Sequence, residues 1–468
     1  MSFIKNIKVI SRNPDKYLRE TKYDIHKIQR NYDPDLHPFE AVREYKLALN
    51  AVKLERVFAK PFIGSLTHSE GVSALCRHPS RLSCVFTGTV EGELKLWDIS
   101  KMRCDWTVQA HKGQIWSLVA APDGASFFSV GNDKTVKRWS LQQSLEENGD
   151  LPVDTWMCDS IVTGITHHRY RNEFITCGER VLLWDANTKS PKSSYDWSTS
   201  SDRNDASVVS VKFNPVETDL FASSDHANNI VLYDTRAKEV KKLKMTLRVN
   251  ALAWNPMEAF ILTAASEDYN VYSFDIRNMN NNNRVITIHQ GHTSAVIDLH
   301  YAPTGCEFCT GSYDRSVRIF RTHEARSRDV YHTKRMFKVG CVLWSGDNKY
   351  IVSGSSDHNA RVWKAVSNEK MGIMRPREHA AINYSEELKR KFSKFPQISR
   401  IARHRHLPKH IYHAKKELHI IKESRARKEA NLRKRSKPGS VPYVPARQKP
   451  VVGLQDEADM PGPSQGFW

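Results

Sequence analysis

The segment His111-Lys112-Gly113-Gln114-Ile115-Trp116-Ser117-Leu118 begins a unit whose last aromatic residue stands 28 positions later, in Thr135-Val136-Lys137-Arg138-Trp139-Ser140. An acidic residue, Asp133, stands six positions before Trp139. Short apolar alternations of this kind are typical of half-buried strands. The segment therefore predicts short strands joined by tight turns.

The same order recurs along the chain. An aromatic residue and its neighbour close a strand-like run seven times, at Trp97-Asp98, Trp139-Ser140, Trp184-Asp185, Tyr233-Asp234, Phe274-Asp275, Phe320-Arg321 and Trp363-Lys364. Successive aromatic residues lie 41 to 49 positions apart, which is about the length of one four-stranded propeller blade. Seven units suffice to close a ring, so the repeats predict an all-β, seven-bladed β-propeller.

The predicted propeller spans residues 57–365. Its first unit begins near His68, whereas Trp363 leaves the seventh blade one strand short. The segment Val57–Leu66 can supply that strand and so remove an exposed sheet edge. Residues 1–56 then form an N-terminal extension with a helix near 38–56, whose apolar stripe is expected to pack on the propeller or on another protein.

Four residues in the second unit resemble the hydrogen-bonded tetrad of WD repeats: His111, Ser129, Asp133 and Trp139. In WD repeats this tetrad is structural. A nucleophilic role for Ser129 would need a strained elbow or an oxyanion motif, and the sequence has neither. We therefore expect a binding platform that is not an enzyme and has no cofactor or metal. No stretch approaches eighteen uninterrupted apolar residues, so we also expect no membrane partner.

Charge is concentrated after the propeller. Residues 366–450 hold 23 Lys/Arg against 7 Asp/Glu, a net charge of +16 out of +19 for the whole chain. Such a segment suggests a polyanionic partner, because lysine and arginine displace counterions from a phosphate backbone. The alternative is a disordered tail that only improves solubility. Residues 451–468 are predicted to be a flexible acidic tail.

The basic segment 366–450 is predicted to be helical, with a long helix from Pro408 to about Lys437. An apolar stripe along this helix implies that one side docks while the other sides present cations. The candidate contacts to RNA phosphates are Arg400, Arg403, Arg405, Lys409, Lys415 and Lys416.

A second cluster of cations toward the end of the predicted helix is typical of a nuclear-import or nucleolar-retention signal. Its members are Arg425, Arg427, Lys428, Arg433, Lys434, Arg435 and Lys437. Import and RNA binding use the same cations, so the sequence leaves both roles open. Four nearby histidines do not predict a zinc site, because adjacent arginine and lysine would repel a divalent cation.

The run Ile398-Ser399-Arg400-Ile401-Ala402-Arg403-His404-Arg405-His406-Leu407-Pro408-Lys409-His410-Ile411-Tyr412 closely resembles the Sof-like family of WD-repeat proteins, which carry a basic C-terminal Sof domain. Ile10-Ser11-Arg12-Asn13-Pro14 is similar to that family's N-terminal extension. The resemblance implies a nucleolar ribosome-assembly factor of the small-subunit processome. It also implies binding to pre-ribosomal RNA and a small nucleolar ribonucleoprotein, and a requirement in 18S rRNA maturation.

Two strand ends suggest another function. Tyr233-Asp234-Thr235-Arg236 and Phe274-Asp275-Ile276-Arg277 resemble the box by which some propellers dock on the adaptor of cullin 4-type RING ubiquitin ligases. The resemblance implies that Arg236 and Arg277 are docking cations, with Asp234 and Asp275 beside them. The alternative is an ordinary strand end with an exposed arginine.

Overall fold

Seven antiparallel sheets of four or five strands follow one another along the chain. The structure is a computed structural model that describes residues 39–141, 151–195, 207–236, 240–278 and 285–456. Residues 1–38 of the predicted N-terminal extension and residues 457–468 of the predicted tail lie outside the described residues. The chain forms two units, one from the residues up to Pro61 with Val366–Arg405, the other from Phe62–Ala365 with His406 onwards. The predicted seven-bladed propeller is confirmed in the second unit.

The four strands of each blade form a meander that runs from an inner to an outer strand. Blade one has β2 (Val72–Arg77), β3 (Cys84–Thr89), β4 (Glu93–Asp98) and β5 (Arg103–Gln109); blade two has β6 (Ile115–Ala120), β7 (Ser126–Gly131), β8 (Thr135–Ser140) and β9 (Asp154–Met157). Blade three has β10 (Gly164–His167), β11 (Glu173–Cys177), β12 (Val181–Asp185) and β13 (Pro191–Tyr195); blade four has β14 (Val208–Phe213), β15 (Leu220–Asp225), β16 (Asn229–Asp234) and β17 (Val240–Met245).

The last three blades follow the same pattern. Blade five has β18 (Val249–Trp254), β19 (Ile261–Ser266), β20 (Val271–Asp275) and β21 (Thr287–His289); blade six has β22 (Val296–Tyr301), β23 (Glu307–Ser312), β24 (Val317–Arg321) and β25 (Asp329–Tyr331). Blade seven has β26 (Val339–Trp344), β27 (Tyr350–Ser355), β28 (Asn359–Lys364) and, as its outer strand, β1 (Phe62–Thr67). Each predicted aromatic residue therefore lies at or near the end of a third strand.

The ring is closed by β1, which pairs antiparallel with β28 so that Leu66 faces Ala360 and Thr67 faces Asn359. The sequence placed this closing strand at Val57–Leu66. In the structure the strand begins five residues later, because Val57 is the last residue of a helix.

Buried apolar side chains hold neighbouring blades together. Among the described residues, one cluster lies between each pair of adjacent blades, including the pair formed by blades seven and one. Between blades one and two, the ring centroids of Phe86 and Phe127 lie 4.4 Å apart and Trp139 stacks on Phe127. Burial of each such side chain stabilises the fold by roughly 1.5–3 kcal/mol.

The structure brings the four residues of the WD-type tetrad together. The Trp139 Nε1–H donates to Ser129 Oγ at 2.9 Å, Ser129 Oγ lies 2.7 Å from His111 Nε2, and His111 Nδ1 lies 2.9 Å from Asp133. Burial lowers the pKa of His111 although Asp133 opposes this, so the imidazole is neutral near pH 7. Because the carboxylate only accepts, the proton belongs on Nδ1, and Nε2 accepts the Ser129 hydroxyl proton.

Other blades hold parts of this hydrogen-bond chain. They are Trp97 with Thr87 and His68 in blade one, Trp184 with Thr176 in blade three, His292 with Thr310 and Asp314 in blade six, and Trp363 with Ser353 in blade seven. In blades one, three and seven these bonds join the second strand to the third, and in blade six they join the segment before the first strand to the second strand and its following turn. Without them these groups would be buried without partners.

A fifth strand in blade four corrects the sequence prediction. Residues 451–456, assigned from the sequence to a flexible acidic tail, form strand β29 (Val451–Asp456), which pairs antiparallel with β17. Just before it, the Thr246 N–H donates to the Pro450 carbonyl at 2.9 Å. Val451 joins the apolar cluster between blades four and five. The open edge of β17 supplies backbone partners that composition alone could not reveal.

The described residues of the other unit form three helices: α1 (Glu40–Val57), α2 (Pro376–Lys391) and α3 (Pro396–Arg403). Ala48 and Val52 of α1 are buried against Leu388, Phe392 and Ile398. The sequence expected the propeller or another protein as the partner of α1. The structure shows instead that α1 packs on α2 and α3, a contact between segments more than 300 residues apart that no local pattern could indicate.

Replacing Ser129 tests the tetrad. Ser129→Ala would leave the Trp139 Nε1–H without an acceptor and His111 Nε2 without a donor, both inside the blade. We expect the free energy of unfolding to fall by about 2–4 kcal/mol, as measured by chemical denaturation. Ser117→Ala, on the neighbouring strand β6, removes a hydroxyl with no described hydrogen bond and should change stability by less than about 0.5 kcal/mol. Equal effects of the two substitutions would contradict a supporting role for the tetrad.

Candidate nucleic-acid interface

The longest helix in the described part of the chain is α4 (Lys409–Arg435). It begins directly after Pro408 and ends before Pro438-Gly439, close to the predicted limits. The helix holds ten Lys/Arg against three Glu. Within the described ranges, no helix has both the length and the apolar character needed to cross a membrane.

The apolar stripe of α4 is buried only at its beginning. Ile411 is 0% exposed, Ala414 and Leu418 are half-buried, and Ile421 is 46% exposed. The sequence predicted docking along the whole stripe. Docking is confined to the first turns, so the later turns present nearly all of their side chains to solvent.

An exposed aromatic residue lies between two lysines on the first turns of α4. Tyr412 is 58% exposed, and Lys409 and Lys416 precede and follow it by three and four residues, so the three share one helix face. Neither lysine has a described acidic partner. A ring that can stack on a base, with a cation one turn away on each side, is an arrangement found in proteins that bind single-stranded nucleic acid.

The six candidate RNA contacts are divided between the two units. Arg400 and Arg403 lie exposed on α3, and Arg405 follows it with its guanidinium donating to the carbonyls of Ala402 and His404. Lys409, Lys415 and Lys416 lie on α4. The structure therefore brings the last three together on one helix.

Lys415 differs from its neighbours. Desolvation, together with the nearby cations Arg318 and Arg326, lowers the pKa of Lys415. Its ammonium group therefore lies near the sixth blade.

The candidate import cluster occupies the second half of α4 and the residue positions just after it. Arg425, Arg427, Lys428, Lys434, Arg435 and Lys437 are exposed, and no carboxylate among the described residues pairs with them. Arg433 instead donates to Glu429 at 3.2 Å and lies 5.0 Å from the ring centre of Tyr443. Lys449 binds the same Glu429 at 2.8 Å.

Tyr443 and Lys449 are contacts that the sequence analysis missed. They fold the segment after α4 back along the helix. The turn residues Pro438-Gly439 were the signal that could have indicated this return.

The two Asp-x-Arg boxes have the same geometry in neighbouring blades. The Arg236 N–H donates to Asp234 Oδ1 at 2.9 Å, and the Arg277 N–H donates to Asp275 Oδ1 at 2.9 Å. Each guanidinium also pairs with its own aspartate, and each arginine side chain is about 60% exposed. Both arginines leave the propeller from the loop after a third strand, so they emerge on the same face.

The aspartate of these boxes has a structural role that does not need arginine. Asp98 and Asp185 accept the N–H of Ser100 and Asn187 two residues later, also at 2.9 Å. The aspartate is thus the residue that forms the turn. What distinguishes blades four and five is an arginine at the second position after it.

The central channel contains a carboxylate that is already engaged in hydrogen bonds. Its carboxylate, Asp298, accepts the backbone N–H of Val342 on the next blade at 2.8 Å and that of Leu299 at 2.8 Å. Burial raises the pKa of Asp298 although these bonds oppose it. Among the described residues there is no group of three or more side chains that could hold a metal ion.

Seven blades, five of them with WD-type hydrogen bonds, define this chain as a WD-repeat protein. The model of the WD domain, G-beta repeat, matches residues 102–140, 283–321 and 330–364, and the model of the Sof1-like domain matches residues 365–451. The chain is 49% identical over 450 residues to the DDB1- and CUL4-associated factor 13 of Xenopus tropicalis, covering 96% of this chain and 99% of that relative. It is 39% identical over 472 residues to Protein SOF1 of Saccharomyces cerevisiae, covering 96% and 94%. The chain belongs to the Sof1-like family of WD-repeat proteins.

Alanine substitutions at two isoleucines of α4 test whether docking of the first turns stabilises the helix. Ile411→Ala removes a fully buried side chain, so we expect a loss of roughly 2–5 kcal/mol in the local opening free energy of the first turns. Hydrogen exchange of the amides of residues 411–418 measures that loss. The matched change Ile421→Ala, on the exposed part of the same helix, should leave exchange unchanged within about 0.5 kcal/mol. Faster exchange in both variants would show that the exposed turns also depend on docking.

Proposed function

We propose that this protein is a non-enzymatic ribosome-biogenesis factor of the nucleolus. In this role the propeller is a scaffold of the small-subunit processome. The basic extension contacts pre-ribosomal RNA, the small nucleolar ribonucleoprotein and assembly proteins, and 18S rRNA maturation requires the protein. Family membership supports the ribosomal context. The observation that carries the proposal is the exposed face of α4, where Lys409, Tyr412 and Lys416 have the chemistry to bind single-stranded RNA.

The charge of α4 favours a phosphate backbone over an acidic protein surface. Each lysine that neutralises a phosphate releases counterions, which gives a gain that does not depend on base sequence. The neighbouring tyrosine adds base stacking, worth roughly 1–3 kcal/mol per base. Arg400, Arg403 and Arg405 are proposed as further contacts from the other unit. The proposed import signal consists of Arg425, Arg427, Lys428, Arg433, Lys434, Arg435 and Lys437.

Salt dependence separates the two contributions on α4. In Lys409→Gln/Lys416→Gln, the slope of log affinity against log salt for single-stranded RNA should fall by about 1.4, because each lost phosphate contact removes roughly 0.7. In Tyr412→Ala, affinity should fall about 5- to 100-fold with the slope unchanged. Fluorescence anisotropy at several salt concentrations measures both.

The matched control removes two exposed cations from the blades. Arg81→Gln/Lys349→Gln has the same net charge as the α4 variant and should keep the wild-type slope. If the control lowers the slope as much as the α4 variant does, only net charge matters and the helix face is not the site. In cells, ultraviolet crosslinking to pre-ribosomal RNA should be lost in the α4 variant and kept in the control.

A second candidate function is docking as the substrate receptor of a cullin 4-type ubiquitin ligase. One relative is named for association with DDB1 and CUL4. In this chain, Arg236 and Arg277 emerge on one face from adjacent blades with the same geometry, each held by its own aspartate. Two fixed, exposed cations of this kind suit an acidic docking surface.

Charge reversal tests the docking proposal. Arg236→Glu/Arg277→Glu should reduce co-purification of the ligase adaptor at least about tenfold, because like charges would then face each other across the interface. Arg81→Glu/Lys349→Glu reverses two cations on loops of the same propeller face and should leave recovery unchanged. Full adaptor recovery with the first variant would exclude these boxes as the docking site, whatever the result for RNA.

A further inference from the structure

Arg318 on strand β24 is a buried cation, and no carboxylate in the described part of the chain forms a salt bridge with it. The residue is 2% exposed, and its Nε and Nη2 groups have no hydrogen-bond partner among the described residues. Its Nη1 donates to Ser327 Oγ at 3.4 Å, a long bond. A guanidinium has five N–H donors and normally satisfies them when it is buried.

The carboxylate that acts on Arg318 already has other hydrogen-bond partners. Asp314 accepts from His292 at 2.9 Å, and the backbone N–H of Ser316 donates to it at 3.0 Å. It acts on Arg318 only through space. Desolvation nevertheless lowers the pKa of Arg318, so the aspartate does not compensate the burial of this charge.

Two more cations lie near this part of the sixth blade. Lys415 of α4 is repelled by both Arg318 and Arg326, and no described carboxylate pairs with it or with Arg326. Lys415 and Arg326 both keep part of their side chains exposed, whereas Arg318 is enclosed. Lys415 therefore lies close enough to both arginines to feel their charge, one of them enclosed and the other exposed.

The backbone is shaped to accommodate this guanidinium. Gly291 has φ of +154°, and a Cβ at this position would lie 2.8 Å from Arg318 Nη1. A Cβ here would require the end of the Arg318 side chain to shift, and the positive φ would strain any residue other than glycine. The glycine thus leaves room for the guanidinium. Without a ligand, an apolar residue in place of Arg318 would cost less free energy than this buried charge does.

We propose that Arg318, Lys415 and Arg326 form a binding site for a phosphate-type oxyanion between the sixth blade and helix α4. A tetrahedral oxyanion offers several acceptors at once, and the fork of a guanidinium matches it better than a point charge does. The anion would satisfy the two orphan donors of Arg318, and it would relieve the repulsion that now acts on Lys415. Free phosphate and the backbone phosphate of RNA share this chemistry.

Thermal unfolding of the full-length protein tests the site. Saturating inorganic phosphate, compared with chloride at the same ionic strength, should raise the midpoint by about 2–4 °C. This shift should disappear in Arg318→Gln and, if that variant folds poorly, in Lys415→Gln. It should persist in Lys422→Gln, which removes an exposed cation from the same helix. A wild-type protein that phosphate does not stabilise, or a shift that Arg318→Gln retains, would overturn the proposal.

An RNA-binding measurement identifies the source of the anion. If Arg318→Gln lowers the affinity for single-stranded RNA and inorganic phosphate competes with that RNA, the site takes a backbone phosphate. If the RNA affinity of Arg318→Gln equals that of wild type while the thermal shift is lost, the site takes free phosphate. Both results support the oxyanion site, and they are independent of whether Lys409 and Lys416 bind RNA.

Discussion

Closure of the ring is the constraint on which the rest of the structure depends. Each blade buries both of its faces only when it has a neighbour on each side. Strand β1 adds the outer strand that blade seven would otherwise lack, and residues from the two ends of the repeat region, such as Leu66 and Val362, share one apolar cluster. An open ring would expose two such faces at once. The closed ring in turn fixes the position of the edge of β17, with which β29 pairs. It also fixes the sixth blade, which lies beside Lys415.

Much of this fold could be predicted from the sequence because each blade repeats the same local chemistry. The spacing of Trp97, Trp139 and Trp363 follows from third strands that meet the same type of interface. Outer strands were harder to predict, since they face solvent and need little apolar sequence. Pro191–Tyr195 and Val451–Asp456 depend on the backbone edge offered by the preceding strand rather than on their own composition. The packing of α1 depends on helices that come more than 300 residues later.

For the candidate interface, the sequence indicated the right helix but not which groups each cation contacts. A run of lysine and arginine looks uniform until its surroundings are known. Glu429 engages Arg433 and Lys449, Arg405 binds backbone carbonyls, and Lys415 meets two cations of the sixth blade. Residue type alone indicates none of these partners. The aspartates of the Asp-x-Arg boxes show the opposite case, because their turn-forming role could be predicted from residue type alone.

Helix α4 is ordered by its anchors more than by its own sequence. Ten cations against three carboxylates place like charges three and four residues apart, which weakens an isolated helix. Ile411 secures the first turns, while the returning segment and β29 secure the chain beyond the last turn. The free-energy cost of ordering the helix is therefore met during folding. Binding of RNA or phosphate does not have to offset that cost. Because the same anion also reduces the repulsion among the cations, binding and stabilisation of α4 are linked: whatever anion binds must make the helix harder to open.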